Sequence, residues 1–343
     1  MKTIIKRVVA CVLFGALLLT LVVKMNHVVL SKKYNRYYML QEEVQQRNET
    51  YDVQVFGACH SYTSFQAKYF EEEYGYSAFD LGNPGEIVPV TYLRMLEQFK
   101  KDVPKVAMVE IWGLNAYETY SPPERVFEYY MPVNIEIIPL SLEKTEVIND
   151  FYSVDNVLEN FHLAKYKDRV LNMQLMGYDF DYSFESLKED TSAYSKTEME
   201  MRFANNGFCE MPMHLDGEEA AAVYTPYRDI SDYYEKQAVV EENETLELEA
   251  DMVKYAKKII DLCKKHNVAL VFYRAPYVST ENELKKANWF ADYCKENDVA
   301  FYDLEKEIEF DIKTDFLDYN HLNKNGALKA TDFLAGKISA YLE

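Results

Sequence analysis

Two short stretches hold the side chains best suited to covalent chemistry: Gly57-Ala58-Cys59-His60-Ser61 early in the chain and Asp318-Tyr319-Asn320-His321 near its end. The thiolate is the reactive form of cysteine, and a helix N-terminus or a neighbouring imidazolium stabilises it. Histidine can take a thiol proton and later return it to a leaving group. An aspartate three residues earlier on a tight turn can fix the ring for that task. Two further blocks lie between them, Asp80-Leu81-Gly82-Asn83-Pro84-Gly85 and Glu110-Ile111-Trp112-Gly113-Leu114-Asn115. Backbone N–H groups at residues 59 and 82, with the Asn115 amide, could hold a developing oxyanion, each donor being worth about 3 kcal/mol.

Every one of these residues also has a purely structural explanation. Cys59 at a strand end could be a small apolar filler, and His321 a turn residue. Asn115 could close a turn after Gly113, while Gly82 and Gly85 could serve the bend around Pro84. His60 is either structural or a substrate contact, and Gly85 is a second candidate contact. Arg274, in Tyr273-Arg274-Ala275-Pro276-Tyr277, could bind an anionic group, although a surface ion pair is the simpler expectation. Ser61 is displaced by two residues from Cys59 and is not expected to face the same histidine. Cys11, Cys209, Cys263 and Cys294 form no CxxC pair, and the helical patterns around Cys263 and Cys294 read as buried packing. The six histidines show no metal-ligand spacing, and neither a phosphate-cradling glycine loop nor a dinucleotide fingerprint is present. No metal and no cofactor are therefore expected.

The elements that must position these residues are short apolar strands alternating with amphipathic helices. Strands are expected at 53–56, 77–81, 106–111, 268–273 and 299–303, with helices at 65–74, 88–100, 248–266, 281–297 and about 325–342. That alternation implies a parallel sheet covered on both faces, because parallel strands need right-handed crossovers. Ligands in such sheets sit at the carboxyl ends of the strands, where the four blocks fall. Between about 116 and 247 the alternation fails in a segment rich in Tyr, Phe, Met and acids, read as a helical insertion.

At the N-terminus, Lys2, Lys6 and Arg7 precede sixteen uncharged, mostly apolar residues from Val8 to Val23. This is somewhat short of the roughly 20 residues of a spanning helix, but flanking lysines can snorkel. The pattern reads as an uncleaved signal anchor over residues 1–30, followed by a polar stalk at 31–50 and a body at 51–343 outside the membrane, with the N-terminus inside. Seven of the 37 Lys and Arg lie in residues 1–41, which hold no acid, so the remaining 30 meet 57 Asp and Glu. So acidic a body repels phosphate backbones and makes nucleic acid a poor partner.

Taken in order, the four blocks resemble those of the SGNH/GDSL hydrolase superfamily: a Gly-x-Ser turn, an oxyanion glycine, a Gly-x-Asn and a late Asp-x-x-His. The likeness covers about residues 50–115 and 250–343 and is greatest to membrane-anchored bacterial members, namely cell-envelope O-acyltransferases and the teichoic-acid D-alanylation type. It implies a flavodoxin-like three-layer α/β/α parallel sheet, with Cys59 as nucleophile, Gly82 and Asn115 at the oxyanion, and Asp318 and His321 as acid and base. The thiol stands where the superfamily has a serine hydroxyl. The expected activity is acyl transfer, acetyl being the expected group, through a Cys59 thioester to a cell-envelope polysaccharide or polyol, with a membrane partner delivering acyl groups. An envelope ester hydrolase and a non-catalytic glycan-binding or scaffold protein are the alternatives.

Overall fold

The computed structural model describes residues 2–29, 40, 44, 47, 49–115, 131–139, 141–151, 193–209 and 229–343. In chain order the elements are α1 (Lys2–Val29), β1 (Val53–Phe56), α2 (Cys59–Ser64), α3 (Ala67–Tyr74), β2 (Ala78–Asp80), α4 (Val88–Phe99) and β3 (Val106–Glu110). After a 3-10 turn at Trp112–Asn115 come α5 (Met131–Glu136), α6 (Leu142–Phe151), α7 (Ala193–Ala204), α8 (Ser231–Tyr234) and α9 (Ala250–His266). The chain closes with β4 (Ala269–Arg274), α10 (Glu281–Glu296), β5 (Ala300–Asp303), α11 (Leu304–Glu307) and α12 (Lys324–Leu342).

The five strands form one parallel sheet in the order β2-β1-β3-β4-β5. Successive residues of a strand point to opposite faces, and both faces here are covered. Phe56, Ala107, Val109 and Phe272 pack with α4, α9 and α10. Their alternates Val53, Val55, Val106, Met108 and Val271 pack with Phe70 of α3 and with Ala330, Leu334 and Ile338 of α12. The molecule is therefore the three-layer α/β arrangement expected. Because β2 lies on one side of β1 and β3 to β5 on the other, the strand order reverses between β1 and β3. The crevice beyond the carboxyl ends of those two strands is where this topology places ligands.

The helix starts are fixed locally. Thr280 and Glu283 form a reciprocal capping box on α10, and Asn323 caps α12 by accepting from the N–H groups of Asn325 and Gly326; such caps are worth about 1 kcal/mol each. Described helices α5 to α8 lie in the segment read as an insertion; its residues 116–130, 140, 152–192 and 210–228 lie outside the described residues.

Helix α1 contains an 18-residue stretch, Ile4–Leu21, with mean hydropathy 2.2 and none of it buried against the rest of the chain, long and apolar enough to cross a membrane. Most of the expected stalk lies outside the described residues, but Leu40, Val44 and Arg47 do not behave as a polar spacer. They are helical and spaced as one helix face; Leu40 and Val44 are buried in the core, and Arg47 donates to the Phe203 carbonyl and to Asn206 Oδ1.

Candidate functional site

Cys59 is the first residue of α2, directly after the β1 turn. Gly57 makes this turn possible, since at φ +136° a Cβ there would lie 2.9 Å from Glu110 Cβ and 3.0 Å from the Glu110 carbonyl oxygen. The opposite end of the chain supplies the other partners. In the loop before α12, the Leu317 N–H donates to the His321 carbonyl (2.8 Å) and Phe316 bridges to Leu322, which folds Asp318 and His321 onto each other. Asn323 ties this loop down through Nδ2, which donates to the Thr314 carbonyl at 2.7 Å. The Val278 N–H donates to the Tyr319 carbonyl (3.0 Å), docking the loop against the segment that follows β4.

His321 Nδ1 meets both Asp318 oxygens, at 2.9 and 3.0 Å. Its buried Nε2 has no oxygen or nitrogen partner and interacts with the Cys59 thiol. Cys59 Sγ lies 3.7 Å from His60 Nδ1, and one donor atom from each of Cys59, His60 and His321 falls within 4.8 Å of the other two. His60 is stacked between neighbours, its ring centroid 5.3 Å from Trp112, 5.0 Å from Tyr277 and 5.0 Å from His321. All three residues are buried, with Cys59 keeping 5% of its surface exposed.

The two imidazoles are driven apart in charge. Burial works against the charged form of both, and for His60 it wins: burial and the nearby His321 charge hold it well below the ordinary histidine range. At His321 burial is outweighed by the charges of Asp318 and Cys59, which lift it well above that range. A thiol beside a histidine that is held by a carboxylate and favoured in its charged form is an arrangement suited to stabilising a thiolate.

A family model matches residues 234–343, and the family is uncharacterised. No curated protein matches the chain. The matched stretch is less than half of the chain; it holds Asp318 and His321 but neither Cys59, His60 nor Asn115.

Several expectations need correction. The Gly82 N–H donates to Asp80 Oδ1 at 2.8 Å, so it is committed to the strand end and does not face the sulfur as an oxyanion donor. Gly82 is required for another reason: a Cβ there would come within 1.9 Å of Ser61 Oγ. Ser61 itself donates to Asp80 Oδ1 (3.1 Å) and the Ala58 carbonyl (2.9 Å), turned beneath the helix. Asn115 is buried near the cluster, its Nδ2 donating to Tyr277 Oη at 3.1 Å. Gly85 takes a left-handed φ of +61°, which accounts for the glycine as a turn residue.

Arg274 is neither a surface residue nor an anion contact. It is 1% exposed, with Nη1 on Asp303 Oδ1 (2.9 Å) and Glu305 Oε2 (2.8 Å) and Nη2 on Ser279 Oγ (2.6 Å). Its guanidinium carbon lies 5.0 Å from the Tyr277 ring centroid and so braces the wall beside His60.

Sequence reasoning did not assign roles to the residues that frame the cluster. Trp112 and Tyr277 form its aromatic wall, and both follow strand ends, the one signal that could have singled them out. Two buried carboxyls, Asp80 and Glu110, lie under the strand ends; burial pushes Asp80 up to about 7 and Glu110 up to about 8. The Glu110 oxygens accept from the N–H groups of Trp112 (3.0 Å) and Ala275 (3.4 Å), joining β3 to the segment after β4. The insertion takes part as well: Arg202 donates to the Gly82 carbonyl at 2.6 Å and lies over the Tyr62 ring at 4.1 Å, while the Cys209 N–H donates to the Tyr62 carbonyl.

Proposed function

We propose that this chain is an extracytoplasmic acyltransferase of SGNH/GDSL type, anchored by α1 with its N-terminus inside, that carries an acyl group on Cys59. The observation that carries the reading is the convergence of Cys59 with a His321–Asp318 pair from the other end of the chain, at the carboxyl rim of a parallel sheet. The order of the four sequence blocks and the apolar α1 support the same reading.

In the first half-reaction Cys59 Sγ attacks the acyl carbonyl, the bond from that carbon to the donor's leaving group breaks, and His321 gives its proton to the departing group. In the second, an acceptor hydroxyl attacks the thioester carbon, neutral His321 takes the hydroxyl proton, and the thiolate leaves. Asp318 holds the imidazole in one orientation through both steps. A thioester suits transfer because it remains activated toward alcohols. A cell-envelope glycan or polyol is the acceptor class that fits an anchored, acidic body outside the membrane, with a membrane partner supplying acyl groups.

Full-length protein incubated with an activated acetyl ester and analysed by mass spectrometry should carry one acetyl group on the peptide containing Cys59. Wild-type protein that stays unmodified, or a Cys59→Ala variant acetylated to the same extent, overturns the reading. Sustained turnover of the ester in water with no acceptor would replace it with the hydrolase reading. A non-catalytic, glycan-binding reading is favoured by one observation, the commitment of the Gly82 N–H to Asp80. It predicts a Cys59 inert to alkylation in the folded protein.

A further inference from the structure

We infer that Cys59, His60 and His321 form a binding site for a thiophilic divalent metal ion of the zinc class, whose occupancy excludes acyl chemistry at the same sulfur. Three observations lead there. The donor atoms of the three side chains already lie within 4.8 Å of one another, with Sγ to His60 Nδ1 at 3.7 Å. Tetrahedral zinc with ordinary bond lengths sets its sulfur and nitrogen donors about 3.4–3.6 Å apart, so closing the site needs only small side-chain shifts.

Second, His321 Nε2 is a buried nitrogen with no oxygen or nitrogen partner, and the Cys59 sulfur is the polar atom it meets. Third, Asp318 grips the opposite nitrogen of that ring with both oxygens. This carboxylate–histidine arrangement fixes the tautomer of a metal-bound imidazole and raises its basicity.

The balance of charge also fits. A dication ligated by one thiolate and two imidazoles, with the Asp318 carboxylate behind one of them, is close to neutral overall. Trp112, stacked on the His60 ring, and Tyr277, tilted against it, wall the site. The protein supplies three ligands and leaves a fourth position for water or an exogenous ligand. Metal and acyl group cannot be held together, because both need the lone pairs of Sγ and both need His321 Nε2. The metal site rests on the geometry alone and stands whether or not Cys59 accepts acyl groups.

The test uses full-length protein in detergent, stripped of metal with a chelator and titrated with cobalt(II). One equivalent should bind and produce a sulfur-to-cobalt charge-transfer band in the near ultraviolet, which zinc then abolishes by displacement. The band should disappear in Cys59→Ser, and affinity should fall about tenfold or more in Asp318→Asn. In His60→Phe, which removes one of the three ligands, affinity should fall at least as far. Wild-type protein that gives no charge-transfer band overturns the proposal, as does a band that Cys59→Ser and His60→Phe leave unchanged. Cobalt binding without acetylation would remove the acyl reading and keep the metal site; acetylation without cobalt binding would do the reverse.

Discussion

Buried cysteines occur in two kinds of surroundings in this molecule. Cys263 in α9 and Cys294 in α10 lie in the helical layer among apolar side chains, where burial pushes the Cys263 thiol up to about 12 and raises that of Cys294 as well. Cys59 is almost as buried, but it sits at the carboxyl rim of the sheet against two imidazoles, one of them held by a carboxylate that favours its charged form. Burial alone therefore does not distinguish the two settings, and the proposed reactivity of Cys59 rests on its neighbours. The difference is a proton acceptor and a compensating charge within reach of the sulfur.

Alkylation of the native protein at neutral pH should expose that contrast most strongly. A small reagent such as iodoacetamide should label Cys59, while Cys263 and Cys294 should react slower by on the order of 1,000-fold until the protein is unfolded, because each unit that burial lifts a thiol removes a factor of ten in thiolate. Peptide mapping reads the ratio directly. Comparable labelling of all three would erase the distinction between the two layers.

A second contrast lies between the rim's structural and chemical groups. Arg274 neutralises Asp303 and Glu305 in the interior, and Arg274→Met leaves those carboxylates buried without their cation. The expected loss is about 3–5 kcal/mol of unfolding free energy, read by denaturant titration. Cys59→Ala removes one sulfur from the same rim and should cost about 1 kcal/mol or less. Equal losses would mean that Cys59 is framework in the same sense as Arg274.

A further expected effect depends on pH. Glu110 rises in the fold from 4.5 to about 8 because burial opposes its charge. A raised carboxyl holds its proton in the folded state after the unfolded chain has released it, so its contribution is fully present below about pH 4.5 and is lost as pH climbs toward 8. Glu110→Gln removes that titration, so the stability of the variant relative to wild type should improve by on the order of 1–3 kcal/mol between pH 5 and pH 8. A difference that stays flat across the window would show that Glu110 does not titrate there.

Much of the framework could be read in advance. Val53–Phe56, apolar apart from Gln54, and Val106–Glu110, apolar up to its last residue, became neighbouring central strands, because strands buried on both faces leave short, mostly apolar runs. The helices 88–99, 250–266 and 281–296 end within two residues of their expected limits, the last of them with a capping box of Thr280 and Glu283. The site was only partly legible. A strand end carries Cys59 and the loop before α12 carries Asp318 and His321 to the same rim, but whether a donor faces the sulfur depends on contacts distant in sequence. The Gly82 N–H turns to Asp80, Arg274 is buried by Asp303 and Glu305, and His60 joins the cluster through stacking that no spacing encodes. Leu40 and Val44 were hidden for a related reason: two apolar residues in a polar stretch show their packing only when a core is there to receive them.

The claim beneath all of this is that the imidazole of His321, steadied by Asp318, makes the sulfur of Cys59 reactive. The rate of iodoacetamide modification at Cys59 in wild type and in His321→Gln, with melting curves to confirm that both are folded, addresses it most directly. The account predicts that wild type reacts faster by on the order of 100-fold. Equal rates in two folded proteins would contradict it and return Cys59 to the company of Cys263 and Cys294.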